Sequence, residues 1–237
     1  MLRRRPSLIA FDLDGTLVDS APDLAYAIDR MLSRLGRPPA GEARVRGWIG
    51  EGMAMLVRRA ITGETWPKAD PPDFAEAVAL FTDIYGAHLC VHSRLYGGVA
   101  EGLAQLHAGR YPLACITNKP SRFTQPLLEQ LSIARFFDVV GCGDQFARQK
   151  PDPEPLLKTT ERFGLHPSDC LMVGDSPTDA KAARRAGYRL ILVSYGYHGG
   201  EGVDVLGPDA VIHSLTELPG LLGSLPQPAP ARTRCHG

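Results

Sequence analysis

The chain has 237 residues, which is enough for a substantial hydrophobic core in one large domain or in a domain with an inserted module. Its 26 Lys and Arg residues balance its 26 Asp and Glu residues, and a net charge of zero argues against nucleic acid or an anionic membrane as the main partner. No apolar run approaches the roughly 18 residues that a membrane helix needs.

The amino terminus and the cysteines predict a cytoplasmic protein. Only a short apolar stretch, residues 8–11, follows the arginines of Met1–Pro6, so we expect no export signal, whose apolar region spans about 7–15 residues. The chain has five cysteines, and no two of them lie closer than 25 positions in the sequence. Scattered thiols in odd number favour a reduced protein without a cysteine metal site.

Short apolar segments predict the strands of a parallel sheet. Each segment is bounded by Gly, Pro or Asp, and amphipathic helical patterns separate the segments. Continuous apolar strands that alternate with helices are typical of a sheet covered on both faces. We therefore expect a doubly wound, Rossmann-like α/β domain. The predicted strands are Leu8–Phe11, Leu113–Thr117, Val139–Gly141, Cys170–Gly174 and Leu190–Val193.

The region after the first strand is different, because it shows helical stripes and no strand pattern as far as about Cys90. We interpret it as an all-helical cap inserted into the sheet domain, with Ser20 as the side-chain cap of its first helix. The proline-rich carboxyl terminus predicts a disordered tail. The predicted divisions are a core of residues 1–18 and 94–222, a cap of residues 19–93 and a tail of residues 223–237.

Polar residues follow several of the predicted strands, where open α/β sheets bind their ligands. Taken singly, each group has an ordinary explanation: an Asp-Gly turn, a helix cap or an exposed lysine. Together they suit a phosphate, a divalent cation or both. The groups are Asp12 and Asp14, then Thr117, Asn118 and Lys119, then Lys150, and finally Asp175 and Asp179.

Charge repulsion among the aspartates predicts a cation. If Asp12, Asp14 and Asp175 converge, each pair at ~4 Å costs roughly 4 kcal/mol at an effective dielectric near 20. An all-oxygen site selects Mg²⁺ over zinc, and Lys150 could offset part of the remaining charge. We therefore expect a magnesium site.

These motifs resemble those of the haloacid dehalogenase-like hydrolase superfamily. The resemblance covers nearly the whole chain, and the helical insertion is similar to that family's cap domain. Asp14 favours a phosphatase or phosphotransferase, because the dehalogenases of this fold do not resemble the sequence at that position. The four motifs are Asp12–Thr16, Thr117–Asn118, Lys150 and Gly174–Asp179.

The resemblance implies a role for each motif residue. Asp12 would attack phosphorus and form an aspartyl-phosphate, while Asp14 would protonate the leaving oxygen and later activate water. The Asp12 carboxylate, the Asp14 main-chain carbonyl and the Asp175 carboxylate would hold Mg²⁺, with Asp179 supporting these ligands. The phosphoryl oxygens would be held by Thr117, Asn118 and Lys150.

Within the superfamily, four further stretches resemble the phosphoglycolate phosphatases, which implies 2-phosphoglycolate as the substrate. They are Leu17–Leu24, Trp48–Gly52, Pro112–Pro120 and Tyr195–Tyr197. In the cap, we expect Gly50, Glu51 and Gly52 to form a loop that points into the site. A cation would bind the glycolate carboxylate, and the candidates are Arg44, Arg46 and Lys119.

Several alternatives remain open at this point. The chain could hydrolyse another small phosphate, such as pyrophosphate or a sugar phosphate, or act as a phosphosugar mutase. It could also be a binding protein that kept the fold, although the complete motif set argues against that. We expect a small phosphate ester as its ligand, neither nucleic acid nor a membrane as partner, and a monomer or homodimer.

Overall fold

A computed structural model describes residues 4–198 and 202–225 of the chain. Within them, six parallel strands form one sheet, which confirms the expected doubly wound α/β core. The sheet strands are β1 (Leu8–Phe11), β4 (Leu113–Ile116), β5 (Val139–Gly141), β6 (Cys170–Gly174), β7 (Arg189–Val193) and β8 (Ala210–Ile212). Their order across the sheet is β5-β4-β1-β6-β7-β8. No helix of the described residues is both long and apolar enough to cross a membrane.

Strand β1 lies in the middle of the sheet because apolar side chains cover it on both faces. Ile9 and Phe11 belong to one hydrophobic cluster, and the intervening Leu8 and Ala10 belong to the other. The strand pairs with β4 and with β6, and Phe11 lies opposite Val173 in register. The helices that cover the sheet are α5 (Val99–Ala108), α6 (Ser121–Gln130), α7 (Glu154–Phe163), α8 (Pro177–Ala186) and α9 (Glu217–Gly223).

The predicted helical cap is present between β1 and the rest of the sheet. Its first helix packs against the other three, and their apolar stripes meet in a shared core. The cap helices are α1 (Ala21–Arg34), α2 (Glu42–Arg46), α3 (Gly52–Thr62) and α4 (Phe74–Ala87).

A two-stranded antiparallel ribbon connects the cap to the core. Its strands are β2 (Val18–Asp19) and β3 (Arg94–Leu95), which pair Val18 with Leu95 and Asp19 with Arg94. The ribbon therefore brings together the two chain segments that enter and leave the cap. Of the predicted boundaries of the cap, residue 19 lies in this ribbon and residue 93 directly precedes its second strand. Both boundaries stay predictions.

Ser20 corrects the expectation of a side-chain cap for the first cap helix. It occupies the capping position of α1, but its side chain makes no capping hydrogen bond. Instead, the hydroxyl of Tyr197 accepts hydrogen bonds from the backbone N–H groups of Ser20 (2.9 Å) and Ala21 (3.0 Å). The Ser20 hydroxyl is thereby free to donate to Asp14 Oδ1 at 2.6 Å.

The predicted tail begins inside the last helix. Helix α9 ends at Gly223, and Leu225 is partly buried against the hydrophobic core. Residues 226–237, which make up the rest of the predicted tail, lie outside the described residues.

Candidate active site

The carboxyl ends of three neighbouring strands bring the motif residues together. Asp12 follows β1, Thr117 follows β4 and Asp175 follows β6, and these strands are adjacent in the sheet. All three residues are buried. The site therefore lies at the sheet edge where α/β folds bind ligands.

The carboxylates of Asp12, Asp175 and Asp179 form a compact acidic cluster. One carboxylate oxygen each from Asp12, Asp175 and Asp179 lies within 4.8 Å of the others. The Lys150 ammonium lies 2.9 Å from Asp12 Oδ1 and 2.7 Å from Asp179 Oδ1. A lysine in a proline-rich loop is usually exposed, but this side chain is only 2% accessible because it bridges two acids.

The surroundings of Asp175 fix its carboxylate and hold it away from solvent. The Thr16 hydroxyl donates to Oδ1 at 2.7 Å, and the Tyr197 backbone N–H donates to Oδ2 at 2.6 Å. Gly15 has φ of +93°, and a Cβ at this position would overlap the carboxylate. Burial and the neighbouring carboxylates of Asp179 and Asp12 raise the pKa of Asp175 well above its usual value.

The pKa of Asp12 responds to the same cluster. Burial raises it to about 7 against the opposing effect of Lys150, and Asp179 adds to the rise. Buried carboxylates in close contact repel one another when they are charged, and a bound cation would offset that repulsion. The cluster is therefore suited to binding a cation. The donors are all oxygens, which suits a hard divalent ion. The cluster therefore fits the metal site that the sequence predicts.

Asp179 is held mainly by the two residues that precede its own helix. Its Oδ2 accepts hydrogen bonds from the Ser176 hydroxyl (2.6 Å) and from the backbone N–H groups of Ser176 and Asp175. Ser176 Oγ in turn accepts from the Asp179 N–H, which completes a capping box at the start of α8. With Lys150 on Oδ1, Asp179 is suited to supporting Lys150 and Asp175.

The Asp14 carboxylate is not a member of the acidic cluster and has partners of its own. Its carboxylate accepts hydrogen bonds from Lys119 Nζ at 3.0 and 3.1 Å and from the Ser20 hydroxyl. Burial disfavours the ammonium, but the Asp14 carboxylate and the Tyr85 hydroxyl more than compensate and raise the pKa of Lys119. The site thus contains a second buried lysine beside Lys150.

Asn118 connects the core to the cap. Its side-chain amide donates to the Gly50 carbonyl of the cap at 3.0 Å and to the Lys150 carbonyl of the core at 2.8 Å. Thr117 Oγ1 accepts from the Lys119 backbone N–H at 3.2 Å. The Asn118 amide therefore links the core loop that contains Lys150 to the cap loop that contains Gly50.

A cavity opens between the sheet edge and the cap, with about 460 Å³ of empty space that includes part of the open entrance. The core contributes Asp12, Asp14, Thr117, Asn118 and Lys119, and Gly50 and Gly52 come from the cap. The apolar wall of the cavity was not predicted from the sequence, since its residues belong to stripes typical of a core. This wall includes Leu24, Ile49, Met53, Leu56, Phe81, Tyr85 and Phe123.

The other cap residues expected to bind substrate do not line this cavity. Arg46 forms ion pairs with Asp19 (3.0 Å) and Glu42 (2.7 Å), outside the cavity. Arg44 lies over the Trp48 ring, and Glu51 pairs with the buried Arg59 at 3.2 Å. The structure brings together Asp12, Asp14, Lys119 and Lys150, but it does not bring Arg44, Arg46 or the Glu51 carboxylate to them.

Comparison with known proteins gives one consistent result. A family model described as haloacid dehalogenase-like hydrolase matches residues 9–193. A phosphoglycolate phosphatase of Nitrosococcus oceani is 42% identical over 219 residues, which cover 92% of this chain and 97% of that protein. Another, of Pseudomonas putida, is 46% identical over 215 residues, which cover 90% of this chain and 78% of that protein.

A solved structure agrees with these relatives. The crystal structure of a predicted phosphoglycolate phosphatase from Haemophilus somnus 129PT is similar, with a TM-score of 0.84 and 36% sequence identity. The similarity covers 91% of this chain and 97% of that chain. It therefore includes both the sheet domain and the inserted cap.

Proposed function

The chain belongs to the haloacid dehalogenase-like hydrolase family, and on that premise we propose that it is a Mg²⁺-dependent phosphatase that converts 2-phosphoglycolate to glycolate and phosphate. The observation that carries the proposal is the position of Asp12. Its carboxylate lines the cavity, lies 2.9 Å from Lys150 Nζ and belongs to the buried acidic cluster.

In the first step, a carboxylate oxygen of Asp12 attacks phosphorus while the bond from phosphorus to the ester oxygen breaks. Asp14 also lines the cavity, two residues farther along the chain, and gives its proton to the leaving oxygen of glycolate. An aspartyl-phosphate on Asp12 and free glycolate result. Asp14 enters this step in its acid form, and its contacts with the Ser20 hydroxyl and Lys119 hold the carboxyl group in place.

In the second step, water attacks phosphorus and the bond to Asp12 breaks. Asp14, now a carboxylate, accepts the proton of that water, and phosphate is released. Lys150 and the Thr117 hydroxyl balance the charge on the phosphoryl oxygens. When bound, Mg²⁺ would supply positive charge to the phosphoryl group through ligands from Asp12, Asp175 and the Asp14 carbonyl, with Asp179 holding Lys150 beside them.

The names of the relatives and the form of the cavity support the named substrate. A small cavity with an apolar wall and a buried lysine suits a short ester that carries a second anionic group.

The described thiols Cys90, Cys115, Cys142 and Cys170 are free, which supports a cytoplasmic location. A monomer or a homodimer stays our prediction for its assembly.

The test is a phosphate-release assay that compares 2-phosphoglycolate, pyrophosphate and hexose phosphates in Mg²⁺. We expect the highest kcat/KM for 2-phosphoglycolate and loss of activity when the metal is chelated. A higher kcat/KM for another substrate would contradict the named substrate and leave the hydrolytic chemistry standing. Transfer of the phosphoryl group to a second hexose phosphate instead of to water would identify a mutase.

A further inference from the structure

Tyr85 is a cavity residue that no sequence motif identifies. It lies on α4 of the cap and is 1% exposed. Within the part of the chain that the structure describes, its O–H group has no hydrogen-bond acceptor, although the Lys119 ammonium is near enough to interact with the hydroxyl oxygen. Among the described residues, no other residue of the cavity wall has an unpartnered buried polar side-chain atom. A buried donor without a partner costs stability, so it calls for an explanation.

The ring of Tyr85 is fixed by aromatic contacts on two sides. Its centroid lies 4.9 Å from that of Phe123 in an edge-to-face arrangement and 5.4 Å from that of Phe81 in a stacked arrangement. Phe123 belongs to the core and Phe81 to the cap, so the ring sits where the two meet. The hydroxyl is thereby held in one place before any ligand arrives.

The nearest charged groups show what the hydroxyl could bind. Lys119 Nζ lies 4.8 Å from the centre of the Tyr85 ring and also contacts Asp14. The two bonds to Asp14 use at most two of the three N–H donors of the ammonium, which leaves a third for the Tyr85 oxygen or a ligand. Burial raises the pKa of Tyr85 to about 12 against the opposing effect of the Lys119 ammonium, which keeps its hydroxyl a donor at neutral pH.

We propose that the Tyr85 hydroxyl and the Lys119 ammonium together bind the carboxylate of the leaving group. The inference rests on the function proposed above and assigns to Tyr85 the selection of a carboxylate-bearing ester. In 2-phosphoglycolate the carboxylate carbon is two bonds from the ester oxygen that Asp14 protonates. Lys119 contacts Asp14 on one side and the Tyr85 ring on the other, so the two donors lie next to the group that protonates this oxygen. The Tyr85 O–H group, which has no acceptor in the free protein, would donate to this carboxylate.

The variant Tyr85→Phe removes the hydroxyl and keeps the ring. Wild-type and variant are compared on 2-phosphoglycolate and on ethyl phosphate, in which a methyl group replaces the carboxylate. We expect kcat/KM for 2-phosphoglycolate to fall at least about tenfold more than kcat/KM for ethyl phosphate, mainly through KM, because the lost bond is to a charged group. The matched control is Tyr26→Phe, an exposed tyrosine of the same cap that does not line the cavity.

Thermal unfolding separates this role from a structural one. Because the O–H group has no acceptor in the free protein, Tyr85→Phe should unfold at the same temperature as the wild type or higher. Equal losses on the two substrates, or no loss on 2-phosphoglycolate, would overturn the inference and leave the proposed function intact. If the wild-type protein does not prefer 2-phosphoglycolate to ethyl phosphate, the proposed function itself fails, and the inference with it.

Discussion

Lys119 Nζ lies 3.0 Å from Asp14 Oδ1, and this ion pair joins the end of strand β4 to the loop after β1. The lysine side chain is 4% exposed and that of the aspartate 13%, so little water screens the pair. Asp14 is the group that we assign to proton transfer. Its position therefore depends on a lysine that lies 105 residues away in the sequence.

Replacing Lys119 tests whether the position of Asp14 depends on it. In Lys119→Met, Asp14 keeps only the Ser20 hydroxyl as a side-chain donor, and the substrate carboxylate loses its cation. We expect kcat/KM for 2-phosphoglycolate to fall at least about tenfold, since the bond to the Asp14 carboxylate and the bond to the substrate carboxylate are both lost. The control Lys158→Met removes an exposed lysine that pairs with Glu161, and it should retain wild-type kinetics. Wild-type kcat/KM in Lys119→Met would contradict this role.

The Asn118 amide should limit the opening of the cap. Asn118→Ala removes its bonds to the carbonyls of Gly50 and Lys150, so the cap loop should separate more often from the core. Hydrogen exchange at the backbone amides of residues 50–52 should be faster by about fivefold or more, which corresponds to about 1 kcal/mol. Gln125→Ala, an exposed residue of α6, is the control. Unchanged exchange would show that Asn118 does not hold the cap.

The acidic cluster predicts stabilisation by a divalent cation. Mg²⁺ at 100 times its dissociation constant should raise the unfolding temperature by about 5 °C or more, because it binds the folded state alone. Asp175→Asn removes one charge of the cluster and should abolish most of that rise. Chelation should reverse it in the wild type. An equal rise of the unfolding temperature in Asp175→Asn would show that the cation binds outside the acidic cluster.

Asp23 should stabilise the junction between the start and the end of the cap. Its buried carboxylate accepts the backbone N–H groups of His92 and Ser93 and the Ser93 hydroxyl, and His88 Nδ1 lies 3.2 Å away. Asp23→Asn should lower the free energy of unfolding by about 2 kcal/mol. Thermal unfolding measures this, and Asp83→Asn, an exposed carboxylate of the same cap, should change it little.

The effect of Asp23 should also depend on pH. Burial opposes its charge, but the hydrogen bonds from Ser93 and His92 prevail and lower the pKa of Asp23. A lowered folded-state pKa means that the stabilisation is complete above the unfolded value of about 3.9 and is lost as the pH falls toward the folded value. The difference between wild type and Asp23→Asn should therefore shrink below about pH 4. A difference that grows with acid would contradict the assignment.

The sheet was predictable because burial on both faces requires continuous apolar runs. Leu8–Phe11 and Cys170–Gly174 are strands as expected. The strands of the ribbon have two residues each, so no periodicity could show them. Strand β8, Ala210–Ile212, was not predicted either. The pairing of these strands comes from tertiary contacts instead.

The motif residues of the site were predictable because they follow strands whose ends meet. Their partners were not. The Tyr85 position fits a helical stripe with Phe81, and such spacing does not show that a hydroxyl lacks an acceptor. Ser20 stands where a helix cap is expected, but the hydroxyl of Tyr197, 177 residues away, accepts the backbone N–H there. The Ser20 hydroxyl donates to Asp14 instead. Long-range pairings of this kind carry no local signal.

The central claim is that Asp12 performs the chemistry, and Asp12→Asn tests it most directly. The amide has the shape of the carboxylate but cannot attack phosphorus, and Lys150 keeps Asp179 as a partner. Phosphate release from 2-phosphoglycolate in Mg²⁺ is measured for both proteins, with thermal unfolding to show that the variant is folded. We predict a loss of at least about a thousandfold in kcat for a folded variant. Substantial Mg²⁺-dependent turnover by Asp12→Asn would contradict the covalent mechanism.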